Sequence, residues 1–303
     1  DIQLTKDNQL VAFHDDNLNR TTNIKDVFVD RVDGTISDFT LIELRKLDAG
    51  TWFNNTNPNH AKESFKNLKI LTLEDVIMIA EGNRILRENG EPTKVIIADN
   101  WNGKYHYEKD PKDNGNRPGI YVETKHPKSN IEKYLKDELT RLGWNINEHP
   151  KEIEVQENKV NIANTKARLI LQSFSPKSIH NIEKHLPNIP KCFLLWKPDM
   201  KGELKETYIK ALDYAIANNA HIIGTSIAGK PNNYEELTAK WMTELIHSSE
   251  LLIHPYSFDT NLQFIEYSKR VDGVFTNRVD LALKYYNRYN SVTPEDILID
   301  LGY

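Results

Sequence analysis

A carboxylate and an imidazole, Asp1 and His14, stand at the two ends of a predicted β-hairpin. Two alternating runs, Ile2–Thr5 and Leu10–His14, flank the polar stretch Lys6–Gln9, a pattern typical of two short strands joined by a turn. A carboxylate beside an imidazole can exchange protons or bind a metal ion. The hairpin therefore predicts a catalytic or metal site. The alternative is an exposed hairpin whose Asp and His have no chemical role.

The register of this hairpin decides which side chains meet. If Thr5 and Leu10 close the turn, two apolar pairs share one face: Leu4 with Val11 and Ile2 with Phe13. The same register places Asp1 opposite His14 on the other face, with Cβ atoms about 5 Å apart. The apolar face would then hold the pair in place.

The run from Asp1 to Thr22 reads D-x-Q-L-T-K-D-x-x-L-V-x-F-H-D-D-x-L-x-R-T-T. In order and spacing it resembles the glycerophosphodiester phosphodiesterase family. In that family the hairpin follows a strand carrying His-Arg-Gly, then a helix, then a Glu two residues before the position of Asp1. The resemblance implies that the polypeptide extends upstream of Asp1, and that a second His and a third carboxylate lie there.

Composition excludes some classes of function. The net charge of −5 gives no basic surface for nucleic acid, and no apolar run reaches the roughly 18 residues that a membrane span needs. The single cysteine, Cys192, cannot form an intrachain disulfide and stands in an apolar run typical of the core. A small-molecule substrate is the expected partner.

Short apolar runs alternate with helical patterns in the rest of the chain, which predicts an α/β fold with parallel strands covered by helices. The six predicted strands are residues 119–125, 167–172, 192–196, 221–226, 251–255 and 273–276. With the strand that ends at Asp1, and a first strand and helix missing from the given sequence, the count is that of a (β/α)8 TIM barrel, the fold that the resemblance implies. We predict one barrel domain over residues 1–290, loop insertions at about 23–70 and 99–118, and a C-terminal tail at 291–303.

Glu123 and Lys125 end the first of these strands and, two residues apart, project on the same side. An unpaired charge against a helix is costly, so we expect Glu123 at the barrel mouth. The resemblance implies that Glu123 binds a divalent metal ion and that Lys125 contacts phosphate. A structural Glu–Lys pair is the alternative.

Three more polar or aromatic residues end later strands, where the chemistry of such barrels is found. Gln172 resembles the Gln of a Gln-Ser-Phe segment at the family's rim; it would hydrogen-bond phosphate or a glycerol hydroxyl, or instead support the strand end. Trp196 would form an apolar wall or belong to the core. His254 resembles a segment of the longer, exported family members, with a structural role as the alternative.

Phosphodiester hydrolysis needs neutralised phosphate charge, an activated nucleophile and a proton for the leaving alkoxide. Asp1 and Glu123 are the candidate ligands of one divalent cation, Ca²⁺ or Mg²⁺. His14 is the candidate acid or base, and Lys125 and Arg20 are the candidate phosphate contacts. We therefore predict metal-dependent hydrolysis of glycerophosphodiesters, such as glycerophosphocholine or glycerophosphoethanolamine, to glycerol 3-phosphate and an alcohol.

Two other functions stay open. The same fold serves lipid-directed relatives that act on sphingomyelin or lysophospholipids, which an apolar groove would mark. Soluble headgroup diesters fit better, because the sequence shows no exposed apolar stretch. The other alternative is a catalytically inactive barrel that binds phosphorylated polyols. Long loops shared with exported relatives favour a periplasmic or extracellular location.

Overall fold

The computed structural model describes residues 1–115, 117–125, 130–145 and 168–288. These residues divide into two compact units, the first holding residues 1–120 and 124–142 and the second 121–123 and 143–288. The predicted tail at 291–303 lies outside the described residues. Within the described ranges, no helix combines the length and the apolar character needed to cross a membrane.

The first unit opens with the expected antiparallel hairpin, β1 (Ile2–Leu4) and β2 (Leu10–Ala12), but the predicted register is wrong by one residue. The strands pair Ile2 with Ala12, Gln3 with Val11 and Leu4 with Leu10. Thr5 N donates to Gln9 O at 3.0 Å, and Asn8 takes a left-handed conformation with φ 61°. The turn therefore closes one residue earlier than expected, and such a slip changes which side chains oppose each other.

The segment predicted as a loop at 23–70 consists of short helices over a hydrophobic core. Its α-helices are α1 (Ile24–Val27), α2 (Leu41–Leu44) and α3 (Thr51–Thr56). Buried apolar side chains of this segment and of the hairpin region pack together: Val11, Phe13, Leu18, Ile24, Ile36, Phe39, Leu41, Leu44, Leu47 and Ile70. Their irregular spacing explains why the sequence shows neither a helical nor a strand period here.

Two helices of the first unit begin at a Thr with an acidic residue three positions later. Thr40 and Glu43 form a capping box at α2, which has only 4 residues. Thr72 and Asp75 form the second capping box, at α4 (Leu73–Ala80). The apolar face of α4 is buried as its period predicts.

Six short strands follow: β3 (Asn83–Ile85), β4 (Arg87–Glu88), β5 (Glu91–Pro92), β6 (Lys94–Ile97), β7 (Asn100–Tyr105) and β8 (Tyr107–Lys109). They pair antiparallel as β3 with β8, β4 with β5 and β6 with β7. The predicted loop at 99–118 therefore contains two strands. Ala98 and Asp99, with φ 47° and 64°, make the tight turn between β6 and β7.

A buried ion pair connects these strands with α4. Arg45 Nη2 lies 2.6 Å from Asp75 Oδ2, and both side chains are 0% exposed. The hydroxyl of Tyr107 donates to Asp75 Oδ1 at 2.6 Å, and Arg45 also donates to the carbonyl oxygens of Gly103 and Ile70. Both buried charges thus have several hydrogen-bond partners, the condition under which such a pair is tolerated.

The second unit is built around one sheet. Its strands, in hydrogen-bonded order, are β9 (Ile120–Glu123), β10 (Leu169–Ser173), β11 (Lys191–Leu194), β12 (Ile222–Gly224) and β13 (Leu252–Ile253). β10 pairs parallel with β11, β11 with β12 and β12 with β13. The order along the sheet is the order along the chain, as repeated strand–helix units require.

A helix follows each of the first four strands, and two follow β13: α5 (Ile131–Arg141), α6 (Pro176–His185), α7 (Leu204–Ala217), α8 (Lys240–Ser248), α9 (Asn261–Tyr267) and α10 (Val279–Tyr285). Of these, α5 belongs to the first unit. Successive residues of a strand face opposite ways, and Cys192 and Phe193 of β11 belong to different buried clusters. Both faces of the sheet are therefore covered, as the continuous apolar runs predict.

One expectation about this unit needs correction. Residues 273–276, predicted as a strand, form none, although Phe275 N donates to Pro255 O at 2.9 Å. A few isolated apolar side chains of the last two helices are exposed. Leu262 and Ile265 on α9 are 76% and 62% exposed, and Val279 on α10 is 59% exposed. Leu262 and Ile265 are separated by two buried residues and Val279 lies on another helix, so no contiguous run marks them in the sequence.

Candidate active site

The observed hairpin register separates the two residues whose pairing the sequence predicted. Phe13, not His14, stands opposite Asp1, and Phe13 N donates to Asp1 O at 3.0 Å. The predicted Asp1–His14 pair is therefore wrong. The cause is the shorter turn, which shifts every cross-strand partner by one residue.

His14 instead forms a pair with its neighbour in sequence. Its Nδ1 lies 2.9 Å from Asp15 Oδ1, while its side chain is 71% exposed and that of Asp15 only 16%. A carboxylate at Nδ1 orients the ring and leaves Nε2 as the nitrogen for proton transfer. Asp15 was not among the predicted site residues, although the run His-Asp-Asp places a carboxylate directly beside the imidazole.

Arg20 holds the other side of Asp15. Its Nε and Nη2 donate to Asp15 Oδ2 and Oδ1, both at 2.7 Å, a bidentate geometry that fixes the carboxylate plane. The guanidinium of Arg20 holds the pKa of the Asp15 carboxyl below its usual value. Arg20 also lies over the ring of Trp52, 5.3 Å from its centroid. These contacts indicate that Arg20 positions Asp15, in addition to any role toward phosphate.

A buried amide fixes the backbone around His14. Gln3 is only 2% exposed, and its Nε2 donates to the carbonyl oxygens of Phe13 at 3.0 Å and of Asp15 at 2.8 Å. These two residues flank His14 in the chain. Gln3 is therefore a positioning residue, and the signal for it was a long amide side chain within an apolar strand.

Lys125 is carried by the chain segment that runs beside β1. Ile2 and Thr124 form a parallel bridge, and Lys125 N donates to Ile2 O at 3.1 Å. The side chain of Lys125 places Nζ 3.9 Å from Asp1 Oδ1, with both side chains about one-fifth exposed at 20% and 21%. Two of the predicted site residues, Asp1 and Lys125, are thus neighbours in the first unit.

Glu123 ends β9 in the second unit and is 8% exposed. Tyr121, two residues earlier and on the same side of the strand, has its hydroxyl 3.3 Å from His254 Nδ1. Burial lowers the pKa of His254 to about 4, although the charge of Asp272 acts in the opposite direction. His254 is therefore neutral at neutral pH and suited to accept a hydrogen bond rather than to donate a proton.

The remaining predicted residues of the second unit lie at strand ends as expected. Gln172 is in β10 and 8% exposed, and Trp196, just beyond β11, is 37% exposed. Such exposure favours the apolar-wall interpretation of Trp196 over the core interpretation. The structure thus groups Asp1, His14, Arg20 and Lys125 in the first unit and Glu123, Gln172, Trp196 and His254 in the second.

Carboxylates, imidazoles and the thiol are the side chains of the described residues that could bind a cation. Among them, no group of three or more His, Cys, Asp or Glu side chains could hold a metal ion. A hard divalent cation takes about six to eight oxygen ligands. The described side chains do not by themselves make a complete cation site.

Solved structures resemble this chain along nearly all of its length. The Oleispira antarctica phosphodiesterase in complex with the product sn-glycerol-3-phosphate aligns with a TM-score of 0.56 at 15% identity, covering 95% of this chain and 82% of that one. A putative glycerophosphoryl diester phosphodiesterase from Silicibacter pomeroyi aligns at 0.58 and 12%, covering 94% and 80%. At these identities the likeness shows the fold, and the α/β class of the (β/α)8 barrel is confirmed. The described strands supply an open parallel sheet of five.

Sequence comparison gives the family. The model of the glycerophosphoryl diester phosphodiesterase family matches residues 1–129 and 120–281, and the chain therefore belongs to that family, a class of phosphoric diester hydrolases. The glycerophosphodiester phosphodiesterase of Bacillus subtilis is 28% identical over 294 residues, which cover 95% of this chain and 76% of that protein. The enzyme of the same name from Caldanaerobacter subterraneus is 42% identical over 76 residues, 25% of each chain.

Proposed function

We propose that this protein hydrolyses glycerophosphodiesters to glycerol 3-phosphate and an alcohol. Besides the family, the observation that carries the proposal is the exposed imidazole of His14 with Nδ1 held by Asp15. In the reaction the oxygen of water bonds to phosphorus and the bond from phosphorus to the alcohol oxygen breaks. His14 Nε2 exchanges the proton that leaves the water or reaches the alkoxide.

The phosphate charge needs positive partners at the site. Lys125 supplies an ammonium group beside Asp1, and Gln172 supplies an amide at the end of β10. Arg20 acts mainly through Asp15, since two of its N–H groups are already used there. These assignments extend the resemblance of the sequence to the individual side chains.

We also infer that the hydrolysis depends on a divalent cation, Ca²⁺ or Mg²⁺. The support is the chemistry of the substrate, whose phosphate charge a hard cation neutralises, together with the carboxylates that the resemblance implies as ligands, Asp1 and Glu123. When bound, the cation would polarise the phosphoryl group. The oxygen ligands beyond these two carboxylates would come from other groups or from water.

Release of glycerol 3-phosphate from glycerophosphocholine, measured with a coupled dehydrogenase assay, tests both statements. We expect activity that a chelator abolishes and that added Ca²⁺ or Mg²⁺ restores. Activity that persists after exhaustive chelation would contradict the cation dependence and leave the hydrolysis intact. A folded protein that hydrolyses no glycerophosphodiester with either cation would contradict the proposed function and favour a phosphopolyol-binding barrel.

One observation favours a second candidate, a phosphodiesterase directed at lipids. The exposed Leu262, Ile265 and Val279 would suit contact with a lipid surface more than solution. Choline release, measured from lysophosphatidylcholine and sphingomyelin vesicles and from glycerophosphocholine, separates the candidates. Faster turnover of the vesicle substrates than of glycerophosphocholine would make the lipid-directed function the better one.

A further inference from the structure

Four aromatic side chains form a continuous row in the second unit, in the order Phe174, Tyr256, Tyr234 and Trp196, called here the aromatic row. Neighbouring ring centroids are 5.8, 5.7 and 5.8 Å apart. The planes of neighbouring rings are inclined by 82°, 71° and 80°. Because consecutive ring planes are nearly perpendicular, the faces of neighbouring rings form corners of roughly a right angle.

The aromatic row lies along one edge of the sheet. Phe174 follows β10, Trp196 follows β11, Tyr234 lies between β12 and α8, and Tyr256 follows β13. These positions are the carboxyl ends of parallel strands, where barrel and open α/β folds bind their ligands. The hydroxyl of Tyr256 donates to the carbonyl oxygen of Leu195 at 2.6 Å, which fixes that ring.

The ring faces of the aromatic row carry no arginine or lysine from the part of the chain that the structure describes. Such cations lie over seven other rings there: Phe28, Phe39, Trp52, Trp101, Tyr105, Trp144 and Tyr267. The faces of the row are therefore not already satisfied by a cation of the protein. At one end, Trp196 reaches solvent with 37% of its surface.

One ring of the row, that of Tyr256, interacts electrostatically with a carboxylate. Burial, and to a smaller extent the neighbouring Tyr234 and the charge of Glu123, raise the pKa of Tyr256. Glu123 ends β9, the strand beside the one that Phe174 follows. A cation on the aromatic row would meet electron-rich ring faces.

We propose that the aromatic row binds a quaternary ammonium group, and that choline diesters are the preferred substrates of this phosphodiesterase. The proposal rests on the proposed function and names its leaving alcohol. Corners of perpendicular aromatic faces suit a trimethylammonium group, which has no N–H to hydrogen-bond and is held by the ring quadrupoles. The primary ammonium of ethanolamine is more strongly hydrated and loses more on leaving water, and polyol alcohols carry no charge to attract.

Binding of tetramethylammonium tests the row without catalysis. We expect saturable binding by calorimetry, at constant ionic strength against sodium chloride, that weakens about 10-fold in Trp196→Leu and less in Trp196→Phe. Trp241→Leu is the matched control, because Trp241 is also 37% exposed but lies on α8. Absence of saturable binding to the wild type would overturn the proposal. Equal weakening of binding in Trp196→Leu and Trp241→Leu would also overturn it.

Kinetics with a charge-free substrate separate a cation effect from apolar contact. The neutral carbon isostere of glycerophosphocholine carries 3,3-dimethylbutanol in place of choline. We expect kcat/KM for the choline ester to exceed that for the isostere about 5- to 20-fold, mainly through KM, and the ratio to collapse in Trp196→Leu. Equal values for the two esters would overturn the proposal and leave the row as an apolar wall. If neither ester is cleaved, the proposed function fails. Binding of tetramethylammonium still shows whether the aromatic row binds a quaternary ammonium group.

Discussion

The carboxylate of Asp15 lies 2.9 Å from Nδ1 of His14, and this contact replaces the Asp1–His14 pair that the hairpin register predicted. Arg20 holds the same carboxylate in two hydrogen bonds of 2.7 Å each. Asp15 thus orients the imidazole of His14, and Arg20 in turn orients Asp15. This arrangement makes the roles of His14 and Asp15 separable by substitution.

His14→Ala should lower turnover about 10²- to 10⁴-fold, the usual contribution of a positioned acid or base. Asp15→Asn should lower it less, because the imidazole remains and loses only its negatively charged partner. Steady-state kinetics on glycerophosphocholine measure both. His60→Ala removes another exposed histidine of the first unit and serves as the control. Wild-type turnover in His14→Ala would refute the assignment.

The buried His254 predicts a pH dependence of stability. Burial lowers the pKa of His254 from its usual 6.5 to about 4, so between these values the unfolded chain binds a proton that the native state does not. Stability from this group is therefore complete above about pH 6.5 and falls as the pH drops toward 4, by about 3 kcal/mol in all. Urea unfolding from about pH 7 to pH 5 should show a shallower decline in His254→Gln than in wild type. Identical slopes would be inconsistent with this account.

Gly273 should tolerate no larger side chain while His254 is present. A Cβ at Gly273 would lie 2.7 Å from His254 Cδ2 and 2.8 Å from Nε2. Gly273→Ala should therefore reduce the free energy of unfolding by about 1–3 kcal/mol. In a His254→Ala background the same change should cost much less, because the ring is gone. Equal costs in the two backgrounds would show that the contact does not limit the site.

The buried Arg45–Asp75 pair should be sensitive to removal of one partner. Asp75→Ala leaves the Arg45 charge buried at 0% exposure and should cost about 3–5 kcal/mol of unfolding free energy. Arg84→Ala provides the comparison, since Arg84 and Glu108 form a surface pair at 51% and 37% exposure and should cost less than about 1 kcal/mol. Chemical denaturation measures both. Similarly small losses of unfolding free energy in the two variants would mean that water hydrates Arg45 when Asp75 is removed.

Local features of the fold could be predicted from the sequence because they depend on neighbours in the chain. The capping boxes of α2 and α4 need only a threonine and an acid three residues apart. The strands of the second unit follow from apolar runs that require two buried faces. The family resemblance, carried by Asp1 to Thr22, gave the class of enzyme and pointed to His14.

The register of the hairpin could not be predicted from local sequence. Its two strands were correct, but the turn depends on the left-handed conformation of Asn8 and on Thr5 pairing with Gln9. A polar stretch of this length fits more than one turn, and only the energy of the closed loop with its packed strands selects one. That selection moved Asp1 away from His14.

The remaining features depended on contacts between distant residues. Arg45 pairs with Asp75 thirty positions away, and Tyr121 meets His254 at a separation of 133. The aromatic row likewise collects its rings from four separate connections. The sequence determined the family, most of the candidate side chains and most strands and helices of the second unit. The tertiary structure decided their partners, because burial, ion pairing and ring packing depend on which distant segments the fold brings together.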